Sequence, residues 1–217
     1  MSSNLLIFVA VFAVFIPALM LPGPDFIGVV RSSLSNGTKA GLLTTAGVTV
    51  GLGFFAILSL VGLSAIMAQY QWLATAVRVA GGLYLCYLGI RLLLTKQQDI
   101  SPGLDAEAKD MRPHDATRSF LFGFGVTLTN PKAIVLFASV FAPAISAETP
   151  NWLLVAMVGL VMLASAIWYT CVTLFMTALP VMERFKDARH WIERVAGVCF
   201  IAIGGKIMAD ARSPIAP

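Results

Sequence analysis

Two ionisable residues lie deep inside otherwise apolar sequence: Asp25, which ends "LPGPD" (Leu21 to Asp25), and Lys132, which ends "NPK" (Asn130 to Lys132). A charge near a bilayer centre costs about 2.5–3.5 kcal/mol on insertion scales, so such residues line a pathway or find a partner. A carboxylate there can take up a proton or meet a substrate's ammonium group. A lysine, together with backbone amides exposed where a helix is interrupted, can meet a carboxylate. This pair of charges matches a zwitterion, and Asn130 adds a neutral donor and acceptor beside them. The competing reading is one buried Asp25–Lys132 salt bridge with no further role.

The neighbours of each charge are helix breakers. Proline removes a backbone donor and clashes with the preceding turn, which leaves carbonyls unpaired. Unpaired backbone is tolerated at membrane depth only against protein or water. Pro22, Gly23, Pro24 and Pro131 are therefore expected to face the interior of a helix bundle, on a path for substrate and protons. Pro17 and Pro180 carry no adjoining charge and read as ordinary kinks.

The elements that must hold these residues follow from composition. Of 217 residues, 58% are hydrophobic and 12% charged, well above the roughly 45–50% apolar content of soluble domains. Uncharged runs extend over Met1–Pro24, Ala40–Val77, Ala133–Ala147 and Thr149–Met182, and a span needs about 20 apolar residues. The N-terminal run has no preceding Lys or Arg and no Ala-x-Ala site after it, so it reads as a retained helix rather than a cleaved signal. Breaks at polar clusters place helices near 4–34, 40–68, 72–95, 118–142, 150–181 and 191–210.

Eleven of the 15 basic residues fall in the first, third and fifth connections (Arg31, Lys39; Arg91, Lys96, Lys109, Arg112, Arg118; Arg184, Lys186, Arg189, Arg194). Cytoplasmic loops carry that excess, so both termini of this multi-pass chain are expected outside. Five spans would instead leave the C-terminus inside. The net charge of +4 is accounted for by orientation and calls for no nucleic acid.

"RVAG" at Arg78–Gly81 recurs at Arg194–Gly197, Tyr84 meets Phe200 and Gly89 meets Gly205 at the same offset, and the two proline motifs occupy the first and fourth helices. The expected fold is an all-α membrane protein of six transmembrane helices. They form two inverted three-helix repeats, about 4–95 and about 118–210, joined by a cytoplasmic loop at about 96–117, with helices 1 and 4 broken. The whole chain, 1–217, is then one transmembrane transporter domain. An odd number of spans per unit turns the second copy upside down, the construction of secondary transporters, with a site at the midplane between repeats.

Other residues read as structural. Gly37, Gly41, Gly47 and Gly51 mark close packing of the second helix, inside one chain or in a homodimer. Ser32, Ser33, Thr44, Thr45 and Thr49 either bond their own backbone or line the cavity. Trp152, Trp168, Tyr169 and Trp191 fit interface anchors or core. Arg78 and Arg194 can snorkel, Lys206 and Asp210 form a four-residue-spaced pair, and "NGT" at Asn36–Thr38 fits a turn. Cys86, Cys171 and Cys199 read as small core residues, His114 and His190 stand in loops, and no metal or cofactor set is indicated.

These motifs carry a resemblance. "PGPD" closing the first apolar run, "RSSLSNGTKAG" from Arg31, "GGLYLCYLGIRLL" from Gly81 and "FLFGFGVTLTNPKA" from Phe120 resemble the lysine exporter superfamily, in particular its LysE/RhtB homoserine/threonine-efflux branch. The resemblance implies efflux of amino acids or related small metabolites by proton antiport without ATP. The family motif positions carry over onto Pro22, Gly23, Pro24, Asp25, Asn130, Pro131 and Lys132. Partners would be a zwitterionic substrate, protons and lipid. A channel or a permease for another solute is the alternative. An enzyme is not expected, since the chain lacks a Gly-x-Ser-x-Gly elbow and a His-Glu-x-x-His pair.

Overall fold

A computed structural model describes residues 2–63, 70–94, 116–141, 149–175 and 179–210, and among them every element is helical. In chain order these are α1 (Ser2–Met20), α2 (Pro24–Ile57, continued by π-helical turns Leu58–Leu63), α3 (Gln71–Leu94) and α4 (Ala116–Leu128). They are followed by α5 (Pro131–Leu136, continued by π-helical turns Phe137–Phe141), α6 (Asn151–Phe175) and α7 (Leu179–Asp210).

Both expected breaks are present. The first separates α1 from α2, with Gly23 as an extended N-cap and Pro24 in the first turn, and the second separates α4 from α5, with Asn130 as N-cap and Pro131 in the first turn. Proline suits that position because its missing N–H belongs to a group with no helical partner anyway. The α4–α5 axis bends by 53°. A third interruption falls within α2 at Gly37, whose φ of 81° and ψ of 171° divide it into limbs 24–36 and 38–57. That backbone conformation is open to glycine and strained for most other residues.

Among the described residues three stretches are long and apolar enough to cross a membrane: Pro24–Leu60, Thr75–Leu94 and Asn151–Phe175. The bent α4–α5 pair makes a fourth if counted as one span, and the apolar part of α1, Ile7–Met20, is shorter. The outer faces agree with a lipid setting, since α6 turns Trp152, Val155, Leu163 and Ile167 outward and α3 turns Leu83, Tyr87, Ile90 and Leu94 outward. This is an all-helical membrane protein.

Two boundaries differ from expectation. Residues 182–190, read from their charges as a connection, belong to α7, which is continuous from Leu179. Lys, Arg and Glu are good helix formers, the segment has no glycine, and Pro180 sits in the first turn where it costs no hydrogen bond. The fifth helix ends within the described residues at Phe175 rather than 181. The expected loop at 96–117 lies mostly outside the described residues, His114 with it, although Ala116 and Thr117 already belong to α4.

An aromatic core joins α1 to the α5 segment: Phe12, Phe15, Phe137 and Phe141 meet with ring centroids 4.6–6.2 Å apart, and Phe55 stacks on Phe137 at 6.1 Å. Elsewhere helices approach backbone to backbone. Gly47 lies against the Phe120 carbonyl and Gly123 against the Thr44 carbonyl, which locks α2 to α4. Gly82 meets Gly204, and Gly89 meets Gly197, which draws α3 and α7 together in antiparallel fashion. Gly41, Gly47 and Gly51 are thus spent on contacts inside the chain. Cys171 is exposed rather than in the core, and Cys86 and Cys199 are half-buried.

Candidate functional site

The two breaks meet, and each charge crosses to the other broken helix. Asp25, in the first turn of α2, is buried. One carboxylate oxygen accepts from the Thr127 hydroxyl at 3.0 Å and the other from the Asn130 amide at 2.8 Å. Lys132, in the first turn of α5, donates from Nζ to the carbonyls of Ala18 at 2.9 Å and Leu21 at 3.1 Å. Those carbonyls belong to the end of α1, where the last turn lacks helical donors.

The placement answers a helix-dipole problem. A carboxylate in a first turn is favourable and an ammonium there is not, whereas an ammonium beside a C-terminal turn is favourable. Asp25 is well placed in its own helix, and Lys132 becomes well placed by reaching across to α1. Asn130 does double duty: its Oδ1 accepts from the Lys132 amide at 3.0 Å as N-cap, while its Nδ2 holds Asp25. Gly23 brings no side-chain cap to the start of α2. The Lys132 ammonium hangs over that start instead, 3.1 Å from where a Cβ on Gly23 would stand.

Among the described residues, no hydrogen bond joins Asp25 directly to Lys132; the two interact through their fields while bonded to different groups. A bare salt bridge is therefore a poor description. Of the expected site residues, Asp25, Asn130 and Lys132 come together, and Pro22 and Gly23 are half-buried beside them. Pro24 and Pro131 are exposed instead of facing inward. The physical reason is that a first-turn proline needs no covering; the carbonyls behind it do, and Lys132 covers them.

The family is decided by comparison. A model of the LysE type translocator family matches residues 16–211. The chain belongs to that family. This LysE type translocator is 36% identical over 207 residues to the threonine efflux protein of Escherichia coli (strain K12), covering 92% of this chain and 96% of the relative. It is 37% identical over 207 residues to the threonine efflux protein of Salmonella typhi, with the same coverage. A membrane protein of Haemophilus influenzae is 26% identical over 187 residues, 86% of this chain and 88% of its own length. No solved structure matches. As a member of this family the protein is a transporter and not an enzyme.

One residue of this crossing was not singled out from sequence. Thr127 is fully buried on Asp25, and its signal was a threonine three residues ahead of "NPK". Tyr169, expected among anchors or core, is fully buried. Thr49, expected to bond its own backbone or line the cavity, is buried, and among the described residues its hydroxyl has no hydrogen-bond partner. By contrast Trp152 and Trp191 are exposed, as interface anchors would be.

Proposed function

We propose that this protein is a secondary transporter that exports amino acids across the bacterial inner membrane in exchange for protons. Its family membership and its similarity to threonine efflux proteins support small-molecule efflux. The observation that carries the finer reading is the crossing of the two breaks, with Asp25 and Lys132 at corresponding first-turn positions of α2 and α5. In this reading α1 with the first limb of α2 is one broken span and α4 with α5 is its inverted counterpart. The remaining elements complete six spans in two repeats.

Each charge retains capacity for a zwitterion. Lys132 has three donors, of which Ala18 and Leu21 take two, and it stands over an N-terminus without a side-chain cap, so the substrate carboxylate is assigned there. A carboxylate offers about four lone-pair sites, and Thr127 and Asn130 take two at Asp25. The substrate ammonium takes the others. Because a proton neutralises the same carboxylate, Asp25 holds either a proton or the ammonium, and that competition couples the two flows. Pro22, Gly23, Pro24 and Pro131 keep the helices open so that Asp25, Asn130 and Lys132 share one place.

The test is efflux of labelled threonine from proteoliposomes under an imposed pH gradient. Acid outside should accelerate wild-type efflux, since external protons displace the ammonium from Asp25. Asp25→Asn should insert normally and lose the gradient dependence. Wild-type pH response in that variant refutes the coupling, and an ohmic conductance in planar bilayers refutes alternating access.

A further inference from the structure

Helices α1 and α5 hold each other at two levels. At the first, Lys132 of α5 donates to the Ala18 and Leu21 carbonyls of α1. At the second, about one turn further along both helices, they meet through rings. Phe15 lies 6.0 Å from Phe137 and 5.8 Å from Phe141, and Phe12 lies 6.2 Å from Phe141. Phe55 of α2 closes a third side by stacking on Phe137 at 6.1 Å. All five rings are buried, and Ala18, Leu21, Ala133 and Leu136, between the two levels, belong to the same apolar cluster.

The ring layer stands on one side of the charges only. Phe12 and Phe15 precede the end of α1, and Phe137 and Phe141 follow Lys132, so the layer lies toward the chain's N-terminus. The contacts of Gly47 with Phe120 and of Gly123 with Thr44, before the α4–α5 break, stand on the opposite side. Rings offer nothing to replace the water around a charged solute, and hydrophobic constrictions gate other membrane paths for that reason. Two of the three walls also change helix type here. Helix α5 passes into π-helical turns at Phe137–Phe141 itself, and α2 does so at Leu58, three residues after Phe55. Such turns are rare and concentrate at functional sites. Helix α5 is moreover short and set at 53° to α4 across the break, and residues at the ends of elements are where hinge motions are absorbed.

We propose that Phe12, Phe15, Phe55, Phe137 and Phe141 form the outer gate of this translocator, opened by α5 swinging about Thr129 and Asn130. The gate rests on the reading of the Asp25 and Lys132 crossing as a transport site with the N-terminus outside. It adds the barrier that separates that site from the exterior.

The test is thiol labelling in right-side-out and inverted membrane vesicles. Cys86, Cys171 and Cys199 are replaced by alanine, and Ala133, buried beside Lys132, becomes the reporter as Ala133→Cys. The probe is a charged, membrane-impermeant methanethiosulfonate. With all five rings present, labelling from outside should be slow at rest and should rise when internal threonine and an acidic exterior drive turnover. Phe137→Ala removes the ring that Phe15, Phe55 and Phe141 share. It should raise resting labelling from outside roughly tenfold, the upper worth of one aromatic pair, and leave labelling from inside unchanged. Phe124→Ala is the matched control, since Phe124 meets Phe54 and Phe120 away from the layer, and it should change neither rate. Four results overturn the gate and leave export standing: equal outside rates with and without the Phe137 ring, a rise from inside, the same rise in Phe124→Ala, or labelling indifferent to turnover while threonine leaves. Resting labelling needs no transport, so vesicles that move no threonine overturn threonine export while the Phe137→Ala comparison still decides the gate.

Discussion

At the scale of residues, the two charges and Asn130 were legible, and the other groups that bond the charges were not. Asp25 and Lys132 stand out because lipid tolerates neither, but a serine or threonine in an apolar helix has an ordinary explanation in its own backbone, so Thr127 carries no signal until the helices are placed. Lys132 also does something that its spacing from Asp25 concealed, since it closes the end of α1. Lys132→Met should therefore leave the carbonyls of Ala18 and Leu21 without that donor, at about 1–3 kcal/mol for each buried group left unsatisfied. In detergent this corresponds to a fall in Tm of about 2–4 °C per kcal/mol for a chain of this size. Gly23→Ala is the milder change. Its new methyl meets the far end of a flexible side chain, Lys132 Nζ at 3.1 Å, which can move by a few tenths of an ångström. Equal melting temperatures for wild type and Lys132→Met would show that the cap is dispensable.

At the scale of elements, helix type and the two breaks could be read from the chain, while helix ends depended on context. Charge alone made residues 182–190 look like a connection, yet a charged, glycine-free segment after a first-turn proline continues as helix in α7. "NGT" was legible as an interruption because glycine is the residue that accepts the φ of 81° found at Gly37. The glycine pattern on α2 announced close packing without naming its partners, which the structure identifies as α4 for Gly47 and Gly51 and α6 for Gly41, while Gly37 serves the interruption instead. Gly123 and Gly125 provide a matched test on a single helix. A Cβ at Gly123 would strike the backbone of Thr44, whereas a Cβ at Gly125 meets nothing within 4 Å. Backbone cannot give way as a side chain can, so Gly123→Ala should separate α2 from α4 and cost about 1–3 kcal/mol. Gly125→Ala should be neutral or slightly stabilising, because alanine favours helix over glycine by about 1 kcal/mol. Detergent melts of the two variants decide the matter: equal stabilities would mean that the α2–α4 contact is looser than the structure has it.

At the scale of the whole molecule, the proposed arrangement turns on parity. Among the described residues, stretches that satisfy length and apolarity unaided number three, or four with the bent α4–α5 pair. Six are reached when α1 is joined to the first limb of α2 and when the apolar C-terminal half of α7 is taken as a span. Both additions have a physical reason to fall short of a simple length test. The first is cut by its own break, and the second follows a charged half-helix that carries Arg184, Lys186, Arg189 and Arg194. If each three-span unit is inverted, both chain ends lie on the same face, opposite the basic connections. Alkaline phosphatase fused after Pro217 should then be active, since it folds outside the cytoplasm, and green fluorescent protein at the same place should be dark. Fusions after Thr95, at the start of the most basic connection, should give the reverse. A bright C-terminal fluorescent fusion would mean an odd number of spans. The second unit would then lack the third span that matches α3 in the first, and the reading of the Asp25 and Lys132 crossing as the meeting of two inverted three-span repeats would fall.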